Sequence, residues 1–248
     1  MPKHLLPISR YGRRMTHLAY VQRWFLTPEL FCRQIGAAPD LVEKLIDAGA
    51  MPGPIYAEHD GAWWSALGAT EPPPPGGRCY APAALWWGRR AMLSLKQGQS
   101  IDEAAARNRT HFIAAFVRAL AEEPLALVAF PDTFPDERLD AGVAARCAVP
   151  EWESWIRGGY AVCLRRFSGE SCVRKESLGK RIRLHMDRVP GYHLDDDSLF
   201  DLVERLESLV LPFAPWQRDV GTPGRAIDGP LAQLGLGIEL PYEAAGSR

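Results

Sequence analysis

The chemistry-bearing residues of this sequence are densest between Tyr56 and Trp64, where Tyr56, Glu58 and His59 are followed a few positions later by Trp63 and Trp64. A carboxyl group held against apolar rings has its pKa raised toward neutrality, and an unperturbed imidazole already titrates there. This segment therefore holds the residue types that general acid and base catalysis needs. Glu58 is the first candidate for a base, and His59 for a proton donor or hydrogen-bond partner. Glu71, at the mouth of the Pro72 to Pro75 run, is the second candidate base; Glu103 belongs to a Ser-x-x-Glu capping box with Ser100 and is occupied there. Arg33 and Arg218 could grip a carboxylate with two parallel hydrogen bonds. Tyr56, Tyr80, Trp63 and Trp64 could line a concave aromatic site. Each residue also has a plain reading as a solvated loop side chain, a surface arginine, or a core or interface aromatic.

Metal and cofactor signals are missing. The five cysteines (Cys32, Cys79, Cys147, Cys163, Cys172) are scattered, without a C-x-x-C pair or a histidine at ligand spacing, which fits unpaired thiols in a reducing cytoplasm. Asp195-Asp196-Asp197 before an apolar-periodic stretch reads as a charged helix start. The sequence has no G-x-G-x-x-G, Walker loop, H-E-x-x-H or G-x-S-x-G pattern, so no cofactor is expected. No stretch approaches the roughly 18 uninterrupted apolar residues of a membrane span, and neither export nor insertion is expected.

The elements that must position these residues read as helices. Thr16 to Phe25 suits a first helix, and Thr27-Pro28 supplies an N-cap threonine with proline at the first helical position of the next. The apolar spacing from Leu30 to Ile46, interrupted by Gly36 to Asp40, predicts two short amphipathic helices, with Gly49 as the stop. That pair resembles the helix-turn-helix of excisionase-like and MerR-type proteins. Met51 to Tyr56 must be extended because each proline disfavours helix before it. Later helices are predicted after Tyr80-Ala81-Pro82, from the capping box to about Glu123, and over Leu199 to Leu211. Pro131, Pro135 and Pro150 are expected to break the intervening region into loops around a short helix, and Gly158-Gly159 to start a tight turn or short strand.

Charge argues about partners. With 29 basic and 30 acidic residues the chain has no global attraction for polyphosphate. Residues 1–60 hold seven Lys/Arg against six Asp/Glu, and a reading helix carrying Asp40, Glu43 and Asp47 would meet phosphate repulsion. Residues 151–190 hold nine Lys/Arg against five Asp/Glu, which reads as a solvated face or, more sharply, an anion-binding one.

Several blocks occur in a suggestive order: Phe25-Leu26-Thr27, Leu45-Ile46, Met51 to Tyr56, and Tyr80-Ala81-Pro82. Then come Trp155 with Gly158 to Cys163, Lys175-Glu176, Phe213 to Arg218, and Gly224-Arg225. In this order, from about 20 to 235, the chain resembles a bacterial family of natural-product biosynthesis proteins that includes the β-carboline-forming Pictet–Spengler cyclases. The resemblance implies a homodimeric, cofactor-free enzyme condensing L-tryptophan with an aldehyde or 2-oxo acid, with a glutamate as base and an arginine and a histidine near the carbonyl substrate.

The expectation is a mainly α protein with little β structure. A helix-turn-helix-like part with a Tyr/Trp-rich connector (1–92) packs on a larger helical part (93–248), as one compact unit. The functional expectation is a cytoplasmic Pictet–Spengler cyclase using L-tryptophan and a carbonyl compound, with neither nucleic acid nor membrane expected as a partner. A helix-turn-helix regulator with a small-molecule module and a non-catalytic biosynthetic binding protein are the alternatives.

Overall fold

The computed structural model describes residues 17–59, 62–65, 68–69, 77–161, 163–214 and 217–236. It is mainly helical, with eleven α-helices and one small antiparallel sheet among the described residues. No helix among them is long and apolar enough to cross a membrane.

The N-terminal helices form where the caps dictate. After α1 (His17–Trp24), the Thr27 hydroxyl accepts from the Leu30 amide at 3.3 Å and opens α2 (Pro28–Ile35). Gly36, at φ 72°, closes that helix in the left-handed conformation that costs glycine least. The chain then enters α3 (Pro39–Asp47). Phe31 and Ile35 of α2 and Val42 and Leu45 of α3 are buried, whereas Asp40, Glu43, Lys44 and Asp47 of α3 are exposed.

The extended stretch after Met51 leads into a meander of β1 (Tyr56–His59), β2 (Ala62–Ser65) and β3 (Gly68–Ala69). Its antiparallel register pairs Tyr56 with Ser65 and Glu58 with Trp63. Reciprocal backbone bonds of 2.9 Å between Leu26 and Tyr80, and a bridge between Tyr56 and Cys79, fasten this region to the helix pair.

The larger part is built around α5 (Ile101–Glu122), opened by the capping box in which Ser100 and Glu103 bond each other's backbone amides at 3.2 and 2.6 Å. Against α5 pack α4 (Ala84–Lys96), α7 (Ala141–Ile156) and α8 (Gly169–Met186). The short α6 (Ala126–Ala129) and two 3-10 turns precede α7. The helices α9 (Asp196–Leu209), α10 (Thr222–Ala226) and α11 (Asp228–Gln233) complete the chain. Phe112 stacks on Phe167 at 4.9 Å and Phe167 on Trp155 at 4.2 Å, at the centre of a core that also holds Phe31 and Trp87. Position 92/93 lies inside α4, and this core takes residues from both sides of it. A second apolar cluster joins α8, α9 and α11 through residues such as Ile182, Leu206 and Leu231.

One expectation fails. Pro150 does not break the chain but sits inside the 16-residue α7. A proline in a helix interior costs about 3 kcal/mol in a lost hydrogen bond and crowding. Burial of Trp152 and Trp155 on the same helix offsets that cost, since each large apolar side chain contributes roughly 1.5–3 kcal/mol.

Candidate functional site

The residues singled out by type fall in different settings. Glu58 and His59 lie on β1 and Trp63 and Trp64 on β2, with Glu58 directly opposite Trp63 and His59 opposite Ala62 in the strand register. Glu71 lies outside the described residues. Arg33 is exposed on α2. Tyr80 is a core residue stacked on Phe31 at 4.3 Å, and burial pushes its pKa up to about 12. Arg218 is already held: its Nε and Nη2 reach both oxygens of Asp228 at 2.8 and 2.5 Å. A substrate carboxylate would have to displace that aspartate.

Tyr56 marks a buried polar junction. Its hydroxyl donates to Gln217 Oε1 at 3.2 Å, and Gln217 Nε2 donates to Ser65 Oγ at 2.9 Å. All three side chains are buried. One amide thus fixes β1, β2 and the segment after Ala214 relative to one another. Burial raises the Tyr56 pKa well above its ordinary value. Tyr20, on α1, is raised chiefly by burial, with Tyr56 and Cys163 both close enough to add to the effect. Cys163 in turn lies close enough to Lys175 and Glu176 to feel their charges, and those two belong to a second polar group.

That second group lies between α7, α8 and the turn linking them. The Tyr160 hydroxyl donates to Glu151 Oε2 and lies 3.4 Å from Glu176 Oε1. Lys175 Nζ bonds Glu176 Oε1 at 2.6 Å and sits 4.9 Å from the centre of the Tyr160 ring. The Cys172 thiol is 3.8 Å from the same Glu151 oxygen that Tyr160 holds. Trp155 and Phe167 are the apolar neighbours: Tyr160 is 5.5 Å from Phe167, which stacks on Trp155.

The local sequence explains why the chain bends there. Gly158, at φ 91°, accommodates a left-handed turn, and a side chain at Gly159 would come within 2.2 Å of Ser154 Oγ. Tyr160 itself adopts φ 60°, a strained conformation for a bulky residue that costs about 1–3 kcal/mol and is found most often at functional sites. The strain is offset by the partners its hydroxyl and ring find.

Protons are shared unequally in this cluster. Burial raises the Glu151 pKa, opposed by the Tyr160 hydrogen bond and reinforced by the Glu176 carboxylate. Burial disfavours the charge on Lys175, but Glu176 together with Cys163 and Cys172 outweighs it and leaves the ammonium more firmly protonated than usual. Lys175 is thus a poor imine-forming nucleophile, and Cys163 and Cys172 are held as thiols by burial. Glu151 and Tyr160 are partly buried. The arrangement suits proton transfer beside aromatic rings.

Reasoning from residue types did not single out Glu151, Tyr160, Cys172, Lys175 or Glu176 as a site. Helical spacing held part of the signal: Cys172, Lys175 and Glu176 stand at i, i+3 and i+4, one face of α8. The excess of basic residues from 151 to 190 disperses instead of forming one face. Lys175 turns inward, Arg174 outward, and Arg181 bonds the carbonyls of Tyr192 and His193 at 2.6 and 3.3 Å. No group of three or more His, Cys, Asp or Glu among the described residues could hold a metal ion.

Fold and site together define a mainly helical protein with a partly buried carboxyl, phenol and ammonium cluster. Residues 108–235 match the model of a family of unknown function, DUF6058, and the chain belongs to that family. The matched segment runs from Asn108 within α5 to the end of the described helices and contains the whole Glu151 cluster, Gln217 and Arg218. No curated protein and no solved structure matches the chain.

Proposed function

We propose that this protein is a cofactor-free Pictet–Spengler cyclase that condenses L-tryptophan with an aldehyde or 2-oxo acid to a β-carboline scaffold, working as a homodimer in the cytoplasm. The observation that carries this reading is the Gln217 bridge to Tyr56 and Ser65. Blocks whose order resembles natural-product biosynthesis proteins meet around it. Phe25 packs edge-on to Tyr56 at 5.4 Å, Tyr80 is laddered to Leu26, and Gln217 holds Tyr56.

In the reaction, the amine adds to the carbonyl to give a carbinolamine, which loses water to form an iminium. The indole C2 then attacks the iminium carbon, and a base removes the C2 proton so that the ring regains its aromaticity. One positioned carboxylate contributes roughly 10²–10⁴-fold to such a transfer. Glu58, on the strand next to the Gln217 junction, is the first candidate for that base and Glu71 the second, with His59 beside the carbonyl partner. The regulator alternative is disfavoured by the solvent face of α3, where Asp40, Glu43 and Asp47 accompany one lysine, Lys44.

The test is a mass-spectrometric assay of purified protein with L-tryptophan and a panel of carbonyl compounds from acetaldehyde to pyruvate, beside an enzyme-free control because the cyclisation also occurs spontaneously. A protein-dependent, stereoselective tetrahydro-β-carboline supports the proposal. No acceleration with any partner removes it, and tryptophan binding without turnover would leave the non-catalytic binding protein.

A further inference from the structure

Helices α8 and α9, the loop between them and Leu125 border an open depression of about 470 Å³. Pockets that take small molecules run from roughly 300 to 1,000 Å³ and combine an apolar lining with a few placed polar groups. Leu125, Leu194 and Leu202 give this one its apolar lining, and Arg181, Asp197 and Asp201 give it charge. Its borders are fixed. Arg181 donates to the carbonyls of Tyr192 and His193 and lies over the Tyr192 ring at 5.5 Å. His185 Nδ1 accepts from the Leu194 amide at 3.0 Å, so two side chains of α8 hold the loop that presents Leu194. The buried Glu123 accepts from the Leu125 amide at 3.2 Å and holds that residue in turn.

The charges of the depression do not neutralise one another. No ion pair joins Arg181 to Asp197 or Asp201; the guanidinium spends two of its five N–H groups on the loop carbonyls and keeps the rest. Asp197 and Asp201 stand at i and i+4 on α9, a spacing at which like charges repel. Asp201 reaches Arg205 at 3.4 Å in an exposed pair that contributes little, and Asp197 has no ion pair. A ligand with a carboxylate and an ammonium on one carbon, beside an apolar tail, answers all of these groups. We propose that this depression binds a free α-amino acid with an apolar side chain, its carboxylate held by Arg181, its ammonium by Asp197 and Asp201, and its tail by the three leucines. A simple amine would leave Arg181 unanswered, and a simple carboxylate would face the two aspartates. The site uses none of the residues assigned to cyclisation and does not rest on that reading.

The experiment is isothermal titration calorimetry of the full chain with three probes of one shape: L-leucine, 3-methylbutylamine, which lacks the carboxylate, and 4-methylpentanoate, which lacks the ammonium. L-Leucine should bind, and each single-charge probe should bind roughly tenfold or more weakly, the loss of one charge-assisted contact. Combining Asp197→Asn with Asp201→Asn should weaken L-leucine by a similar factor without weakening 4-methylpentanoate. Arg181→Gln should weaken L-leucine and spare 3-methylbutylamine. Asp197 and Asp201 are exposed, so the double variant decides the matter should Arg181→Gln loosen the loop it holds, with circular dichroism melts as the folding check. No binding of L-leucine into the millimolar range, or L-leucine binding unmoved in the folded aspartate variant, overturns the proposal. So does 3-methylbutylamine binding as tightly as L-leucine, which would make this a site for cations. Because the cyclisation assay reads turnover of tryptophan and this one reads binding of leucine, either can fail while the other stands.

Discussion

The hydroxyl of Tyr56 and the side-chain oxygen of Gln217 meet at 3.2 Å across 161 positions of sequence. Because the Gln217 amide nitrogen also holds Ser65, removing the glutamine takes the Tyr56 hydroxyl's acceptor and one bond from the buried Ser65 hydroxyl at once. An unsatisfied buried polar group costs about 1–3 kcal/mol, so Gln217→Leu should lower unfolding stability by an amount in that range or above it. Tyr56→Phe should cost less, because it leaves the Ser65 bond intact. Urea denaturation of both single variants and the double variant measures the coupling, and additive effects would show that the two groups do not depend on each other.

A second buried amide anchors α5. Asn108 donates from Nδ2 to the carbonyls of Ala50 and Trp87 at 2.8 and 3.2 Å and accepts from Arg90 Nε at 3.2 Å. Neither carbonyl can turn to water, since Asn108, Ala50 and Trp87 are all buried. Asn108→Ala should therefore cost about 1–3 kcal/mol in chemical denaturation, with the dependence on denaturant unchanged. A loss below 0.5 kcal/mol would mean that the site rehydrates.

Local signals made much of the fold legible and left the Glu151 cluster hidden. The Thr27 cap, the left-handed Gly36 and the Ser100–Glu103 box act within four residues, and all three form as their sequence implies. Pro150 misled because its local cost is overruled by burial of Trp152 and Trp155, which depends on partners far away in sequence. That error also hid Glu151: a glutamate after a proline in a loop has no defined face, whereas inside α7 it points at Cys172, 21 positions on. Glu58 and His59 were legible as residue types on a short strand, but residue type alone does not say what a strand faces.

Gly169 shows how closely α8 approaches α5. A methyl group there would fall 2.2 Å from the Phe116 amide nitrogen and 2.5 Å from the Ala115 carbonyl carbon, both backbone atoms that cannot swing aside. Gly169→Ala should force the two helices apart and destabilise by about 1–3 kcal/mol, even though alanine favours helix. The prediction is checked by the melting temperature, and an unchanged or raised value would contradict the close approach.

His185 makes the fold sensitive to acid. Its Nδ1 accepts from the Leu194 amide at 3.0 Å, so this nitrogen carries no proton, and Nε2 lies 3.2 Å from the Gln233 side chain on α11. Burial, aided by His193 and Arg181 and opposed by Asp196, lowers its pKa below the ordinary histidine value. A base whose folded pKa is depressed stabilises the fold in its neutral form. That contribution is complete above the unfolded pKa, near 6.5, and is lost as pH falls below that value through the folded one. Protonation would set an N–H against the Leu194 N–H and release the loop that leads into α9. The melting temperature of wild type should therefore drop more between pH 7 and pH 5 than that of His185→Gln, whose side chain has no charge to gain. The carboxylates shared by both proteins cancel in the comparison, so parallel curves would show that His185 is not the group responsible.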